Sequence, residues 1–158
     1  MKLAADNATS RITVELIKGM LNATRREMEA LITRTAMSPF IREKKDFFTA
    51  ILNPAGELVV STSLTLAGNL VDAILQQYPA NTMQDGDLFW YNDPYATGGA
   101  VSHLPDMVFV MPVFNENRLV AFIECWGHLW DIGGTVPGSI SPTASSVFQE
   151  GVMIPPVR

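Results

Sequence analysis

Residues 107–114 and 119–124 are two apolar runs rich in Val, Ile and Phe, separated by the polar cluster Asn115-Glu116-Asn117. Each run is too short for a stable helix, and both carry the β-branched and aromatic residues that suit a pleated surface. Folding one back on the other across the turn hides both apolar faces, so a chain with this segment is built around an antiparallel β-ribbon. The remaining elements have to pack on that ribbon.

Upstream, residues 11–36 place Ile12, Leu16, Met20, Leu21, Met28, Leu31 and Ile32 at three-to-four-residue intervals, the spacing of an amphipathic helix. Thr9 or Ser10 is placed to cap its start, and Pro39 ends it. Residues 47–52 and 57–61 flank Asn53-Pro54-Ala55-Gly56 and read as another hairpin. Residues 70–77 read as a short helix stopped by Pro79. Asp85-Gly86-Asp87 turns the chain into a strand over residues 88–91, and breaker-rich loops with Pro94, Gly98, Gly99, Gly133, Gly134, Pro137 and Gly138 follow. The expected fold is α+β: a long N-terminal helix packed on antiparallel hairpins, one domain over residues 1–158. The final Ile154-Pro155-Pro156-Val157-Arg158 has neither a helix stop nor a polar tail, the pattern expected of the N-terminal portion of a larger subunit.

At 158 residues the chain is long enough to bury roughly 70% of its unfolded surface. Charged residues make up 17%, against about 25% in a typical soluble domain, which points to burial against other protein. No apolar run approaches the ~18 to 20 residues that a membrane span requires, and residues 1–10 lack the apolar run of a cleaved signal. With the single Cys125, which permits no internal disulfide, a cytoplasmic location is the default expectation. A formal charge of −5, with basic pairs only at Arg25-Arg26 and Lys44-Lys45, argues against nucleic-acid binding, which needs a concentrated basic face. A small-molecule substrate and protein partners remain.

The chain has two histidines, and each is followed three residues later by aspartate: His103-Leu104-Pro105-Asp106 and His128-Leu129-Trp130-Asp131. One pair precedes the ribbon and the other follows it, so an antiparallel hairpin can bring both to the same end of the sheet. Neutral imidazole with carboxylate is a ligand set for Mn²⁺, Zn²⁺ or Fe²⁺, whereas Ca²⁺ and Mg²⁺ prefer oxygen alone. The alternative is that these side chains hydrogen-bond backbone groups or one another at loop ends. Asp93, ahead of Pro94, has a plain role as a turn initiator beside a functional one, and Glu150 is either a solvated charge or part of the site. Cys125, Trp126 and Trp130 read as packing residues. The sequence carries no GxxxxGK[ST] loop and no strand-bound GxGxxG, so any nucleotide step lies on another chain or domain.

Several segments together resemble the hydantoinase B/oxoprolinase family, which includes the large subunits of acetone and acetophenone carboxylases and of ATP-dependent hydantoinases. They are Ser38-Pro39-Phe40-Ile41-Arg42-Glu43 with Asp46-Phe47, Asn92-Asp93-Pro94-Tyr95 with Gly98-Gly99, the two His/Asp pairs, Pro112-Val113-Phe114, Ile132-Gly133-Gly134, Pro137-Gly138-Ser139, and Gln149-Glu150-Gly151 with Ile154-Pro155-Pro156. The resemblance implies that His103, Asp106, His128 and Asp131 stand at the family's metal-site positions, with Asp93 and Glu150 in supporting catalytic places. It implies a divalent metal, Mn, Zn or Fe. It further implies a separate hydantoinase A-type subunit that binds ATP and activates the substrate by phosphorylation, while the B-type subunit, including a C-terminal portion beyond residue 158, completes hydrolysis of a cyclic amide such as a hydantoin, lactam or oxoproline. Two other outcomes stay open: an ATP-dependent ketone carboxylase subunit, and a non-catalytic fragment that docks the A-type subunit. The chain departs from the family pattern in residues 64–69, which lack a histidine common in members, and in a longer stretch between Gly99 and His103.

Overall fold

The computed structural model describes residues 10–62, 70–138 and 141–158; Thr9, residues 64–69 and Ser139 lie outside them. Helix α1, Arg11–Thr35, starts at Ser10, whose side chain accepts the Thr13 N–H, and stops at Ala36. Strands β1 (Phe47–Leu52) and β2 (Leu58–Ser61) form the first hairpin. Asn53 makes its turn: the side-chain oxygen accepts the N–H groups of Ala55 and Glu57, as expected of an Asx turn. Helix α2 (Leu70–Gln77) and the short strand β3 (Phe89–Tyr91) follow.

The second hairpin is longer than its apolar runs indicate. Strand β4 covers Asp106–Asn115 and β5 covers Arg118–His128, linked by Glu116 and Asn117, both at positive φ (50° and 62°). That two-residue loop has the backbone of a type I′ turn, whose twist matches that of the strands it joins. One antiparallel sheet results, in the order β2-β1-β5-β4-β3.

Alternation along the strands divides the side chains between two faces. Phe48, Ala50 and Leu52 of β1, Val108 and Val110 of β4, Phe122 of β5 and Phe89 and Tyr91 of β3 form the core, closed by Leu70, Val71 and Ile74 of α2, each 0% exposed. Burying each of those three contributes ~1.5–3 kcal/mol. On the opposite face, α1 lies along the β1–β2 edge, where Val14, Ile17 and Leu21 border Val59 and Val60. Its apolar stripe is wider than this edge, and Ile12, Leu16 and Met20 stay more than 60% exposed.

The hairpin register fixes the site. Asp106, the first residue of β4, pairs directly with His128, the last of β5, and the His128 N–H donates to the Asp46 carbonyl at the entry to β1. Asp46, His128 and Asp106 therefore form one row across the three central strands.

Candidate metal centre

His128 is fully buried, and its surroundings are built by the segment that leaves α1. Ser38 Oγ donates to the His128 carbonyl at 2.6 Å, and the Phe40 ring meets the imidazole edge-on at 4.5 Å. Ile41 fills the space above Gly127, where any Cβ would lie 2.8 Å from Ile41 Cδ1. These contacts set the orientation of the ring. Nε2 lies 3.1 Å from the Gly138 carbonyl, while Nδ1 lies 3.1 Å from Asp106 Oδ1 and 3.9 Å from Asp46 Oδ2.

A carbonyl only accepts hydrogen bonds, so Nε2 carries the proton. In the neutral ring Nδ1 is then a lone pair facing two carboxylates, an arrangement that calls for a cation between them: a second ring proton or a metal ion.

His103 comes to the same carboxylate from the other side. Its Nε2 is 3.1 Å from Asp106 Oδ2, its Nδ1 is 3.3 Å from Ser102 Oγ, and its ring sits 5.1 Å from that of His128. Hydrogen bonding to Asp106 raises the His103 pKa above its usual value, against the opposing effect of burial, and the negative charges of Asp106, Glu150 and Asp46 add to the rise. For Asp106, burial works against ionisation, but the hydrogen bonds from His103 and His128 outweigh it and hold the carboxyl below the usual range.

The candidate ligand atoms of His103, Asp106 and His128 all lie within 4.8 Å of one another. Ligands around a tetrahedral zinc, with bonds of about 2.0–2.1 Å, stand roughly 3.3 Å apart, so the three donors fit a first-row divalent ion with small side-chain adjustments. Two imidazoles and a carboxylate suit Mn²⁺, Zn²⁺ or Fe²⁺.

The other sequence candidates fall elsewhere. Asp131 is exposed, and its Oδ1 accepts the Gly133 N–H in a local turn; it is not among the three clustered donors. Asp93 is buried, and its Oδ1 accepts the N–H groups of Tyr95 and Ala96, the turn-initiating arrangement. Glu150 acts on the first His/Asp pair from outside: its Oε2 accepts the Leu104 N–H at 2.9 Å and so anchors the loop carrying His103. Gly151, at φ 134°, lets this segment pass Ile132, whose carbonyl oxygen would lie 2.5 Å from any Cβ. A cleft of about 390 Å³ opens beside His103, lined by Tyr95, Ser102, Ser145, Ser146 and Glu150 among others.

Asp46, Asn92 and Gly138 were not legible as site residues. Asn92 is fully buried; its amide donates to the carbonyls of Leu104 and Val152, and its oxygen accepts the Ile154 N–H at 2.6 Å. It ties the His103 loop to the last residues of the chain. Asp46 is found by register alone, and Gly138 by the carbonyl it presents.

The profile of the hydantoinase B/oxoprolinase family matches residues 10–158. The chain is 31% identical to caprolactamase subunit beta of Pseudomonas jessenii over 156 residues, covering 96% of this chain and 26% of that one. It is 31% identical to 5-oxoprolinase 1 of Arabidopsis thaliana over 155 residues, 95% of this chain and 12% of the relative. The acetophenone carboxylase delta subunit of Aromatoleum aromaticum is 32% identical over 117 residues, 72% of this chain and 17% of the relative. The crystal structure of ATP-dependent caprolactamase from Pseudomonas jessenii superposes with a TM-score of 0.79 at 28% identity, over 96% of this chain and 26% of that one. The chain thus spans about a quarter of the length of the caprolactamase subunit, and less of the others.

Proposed function

The chain belongs to the hydantoinase B/oxoprolinase family, and on that premise we propose that it supplies the metal-site part of an ATP-linked enzyme that hydrolyses a cyclic amide, working with an ATP-binding hydantoinase A-type subunit and with the C-terminal remainder of a B-type subunit. The observation that carries this reading is the orientation of His128. With Nε2 given to the Gly138 carbonyl, Nδ1 is left to a cation shared with Asp106, and His103 closes on the second oxygen of the same carboxylate.

His103, Asp106 and His128 would hold the ion, with Asp46 beside them and Asp131 outside. When bound, a divalent ion would supply Lewis-acid polarisation of a carbonyl and would lower the pKa of a bound water to near neutrality. The protein's part is to orient and to exclude. Phe40 and Gly138 shield the inner side of His128, and Glu150 fixes the His103 loop. Ser102, Tyr95 and Ser145 offer hydrogen-bonding groups to a lactam or hydantoin ring in the adjoining cleft. Similarity to a caprolactamase subunit and to a 5-oxoprolinase, both acting on cyclic amides by name, supports this substrate class.

Metal analysis of the purified protein tests the centre. One equivalent of a divalent first-row metal is expected, and a loss of at least 100-fold in affinity in His128→Ala. Stoichiometric metal retained in that variant overturns the reading. Similarity to an acetophenone carboxylase subunit favours a second reading, ketone carboxylation. With the partner subunits present, hydrolysis predicts ATP turnover with a cyclic amide and no bicarbonate, and carboxylation predicts turnover that requires bicarbonate.

A further inference from the structure

Phe47 neighbours Asp46 in sequence and so projects to the sheet face opposite the histidines. There it lines a cleft of about 780 Å³ between α1 and the start of β1. Arg25, Arg26 and Arg34 of α1 and Lys45 of the preceding turn all line this cleft, so four of the chain's 11 basic residues border one space in a protein of net charge −5. The acid among the lining residues is Glu29, which pairs with Arg25 Nη1.

Two buried polar atoms of the lining lack partners among the described residues. Arg25, with a side chain 16% exposed, has a buried Nε that finds no acceptor among the described residues, and the buried Thr62 hydroxyl finds no partner among them either. Buried donors are almost always satisfied in a folded protein, by the protein itself or by a bound species.

We propose that this cleft binds a small anion of the phosphoryl or pyrophosphoryl class. Four cations against one carboxylate leave a surplus that a single carboxylate cannot neutralise, whereas a phosphate group carries up to two negative charges and a pyrophosphate more. Guanidinium groups match phosphate oxygens with paired hydrogen bonds, and three of the four cations here are arginines. The volume suits a small molecule. A compact oxyanion can be gripped by several of these cations at once inside the cleft, whereas an acidic peptide laid across the rim meets them one carboxylate at a time. Ala30 and Phe47 give the cleft an apolar side for the uncharged part of a phosphate ester.

This site is separate from the metal centre, and its test excludes metal. Calorimetric titration in EDTA uses pyrophosphate, ATP and inorganic phosphate as probes, with polyglutamate as the macromolecular rival. The expected result is saturable one-to-one binding of pyrophosphate or ATP. Arg26→Ala and Arg34→Ala, at exposed positions that leave the core intact, should each weaken it about 10-fold, as loss of a charge-assisted hydrogen bond does; His128→Ala should leave it unchanged. No saturable binding of any phosphate, binding indifferent to both arginine variants, or binding of polyglutamate alone overturns the proposal.

Discussion

Glu124 sits in the middle of β5, 2% exposed, paired across the sheet with Ala50 and Val110 and facing the core beneath α2. Its Oε2 has no hydrogen-bond partner among the described residues. Burial pushes its pKa from the ordinary 4.5 up to about 8. The sign of the consequence follows from proton binding. Below pH 4.5 both folded and unfolded chains hold the proton. Between 4.5 and 8 the unfolded chain releases it while the folded chain keeps it, so stability falls as pH rises, by ~1.4 kcal/mol per pH unit. Over the whole window the loss is on the order of 5 kcal/mol, comparable to the total stability of a small domain. Urea unfolding followed by tryptophan fluorescence at half-unit steps from pH 5 to 8.5 measures it. Glu124→Gln, which keeps the shape and removes the titration, should abolish this component: the variant should match the parent within ~1 kcal/mol near pH 5 and exceed it by several kcal/mol at pH 8. Subtracting one curve from the other cancels the contribution of the histidine cluster. Parallel curves across the range would refute the reasoning.

Asn92→Asp removes the donors to the Leu104 and Val152 carbonyls and turns a carboxylate towards them; two buried acceptors left unpaired cost about 4 kcal/mol together, seen as a lowered urea midpoint. Gly138→Ala places a Cβ 3.0 Å from the Phe40 ring at a φ of 80°. It should destabilise by ~2 kcal/mol and weaken metal retention, because the acceptor that orients His128 moves. Asp46→Asn should lower metal affinity about 10- to 100-fold, as expected for a group supporting a ligand, and Asp131→Asn should leave it unchanged. Competition with a chelator compares the two, and a larger effect at Asp131 would contradict the site.

Periodicity made much of the fold legible. The three-to-four spacing from Ile12 to Ile32 marked α1 to within a residue, and α2 spans residues 70–77 as read. The ends of β4 and β5 were not legible, since Trp126-Gly127-His128 interrupts the apolar pattern. The strand continues there because Phe47 pairs with Gly127 and Ile41 fills the space a side chain would take. The duplicated spacing of the His/Asp pairs singled out His103, Asp106 and His128, which the structure brings together, but identical spacing gave different geometry. In the first pair a turn closes between the two residues, with the Asp106 N–H reaching the His103 carbonyl at 3.3 Å, and the side chains meet. In the second, His128 ends a strand and the chain then leaves the sheet, so Asp131 turns to solvent. Asp46 lies in one of the family-like segments, yet its place beside His128 was not legible, because that depends on which strand lies beside β5, a long-range choice that local patterning does not encode.

The centre has a rigid half and an adjustable half. Asp106 and His128 are cross-strand partners in the two longest strands, both buried, and the inner ring nitrogen of His128 is closed off by Gly138 and Phe40. Two of the three candidate donors are thus set by the sheet itself. His103 is half-buried on a loop whose position depends on one hydrogen bond from Leu104 to Glu150 and one from Asn92 to Leu104. On the His103 side, Ser102 and Tyr95 border the smaller cleft. If the proposed function holds, selection of one ring over another would fall to that loop and to residues 144–150, which can vary without disturbing the Asp106–His128 strand pair.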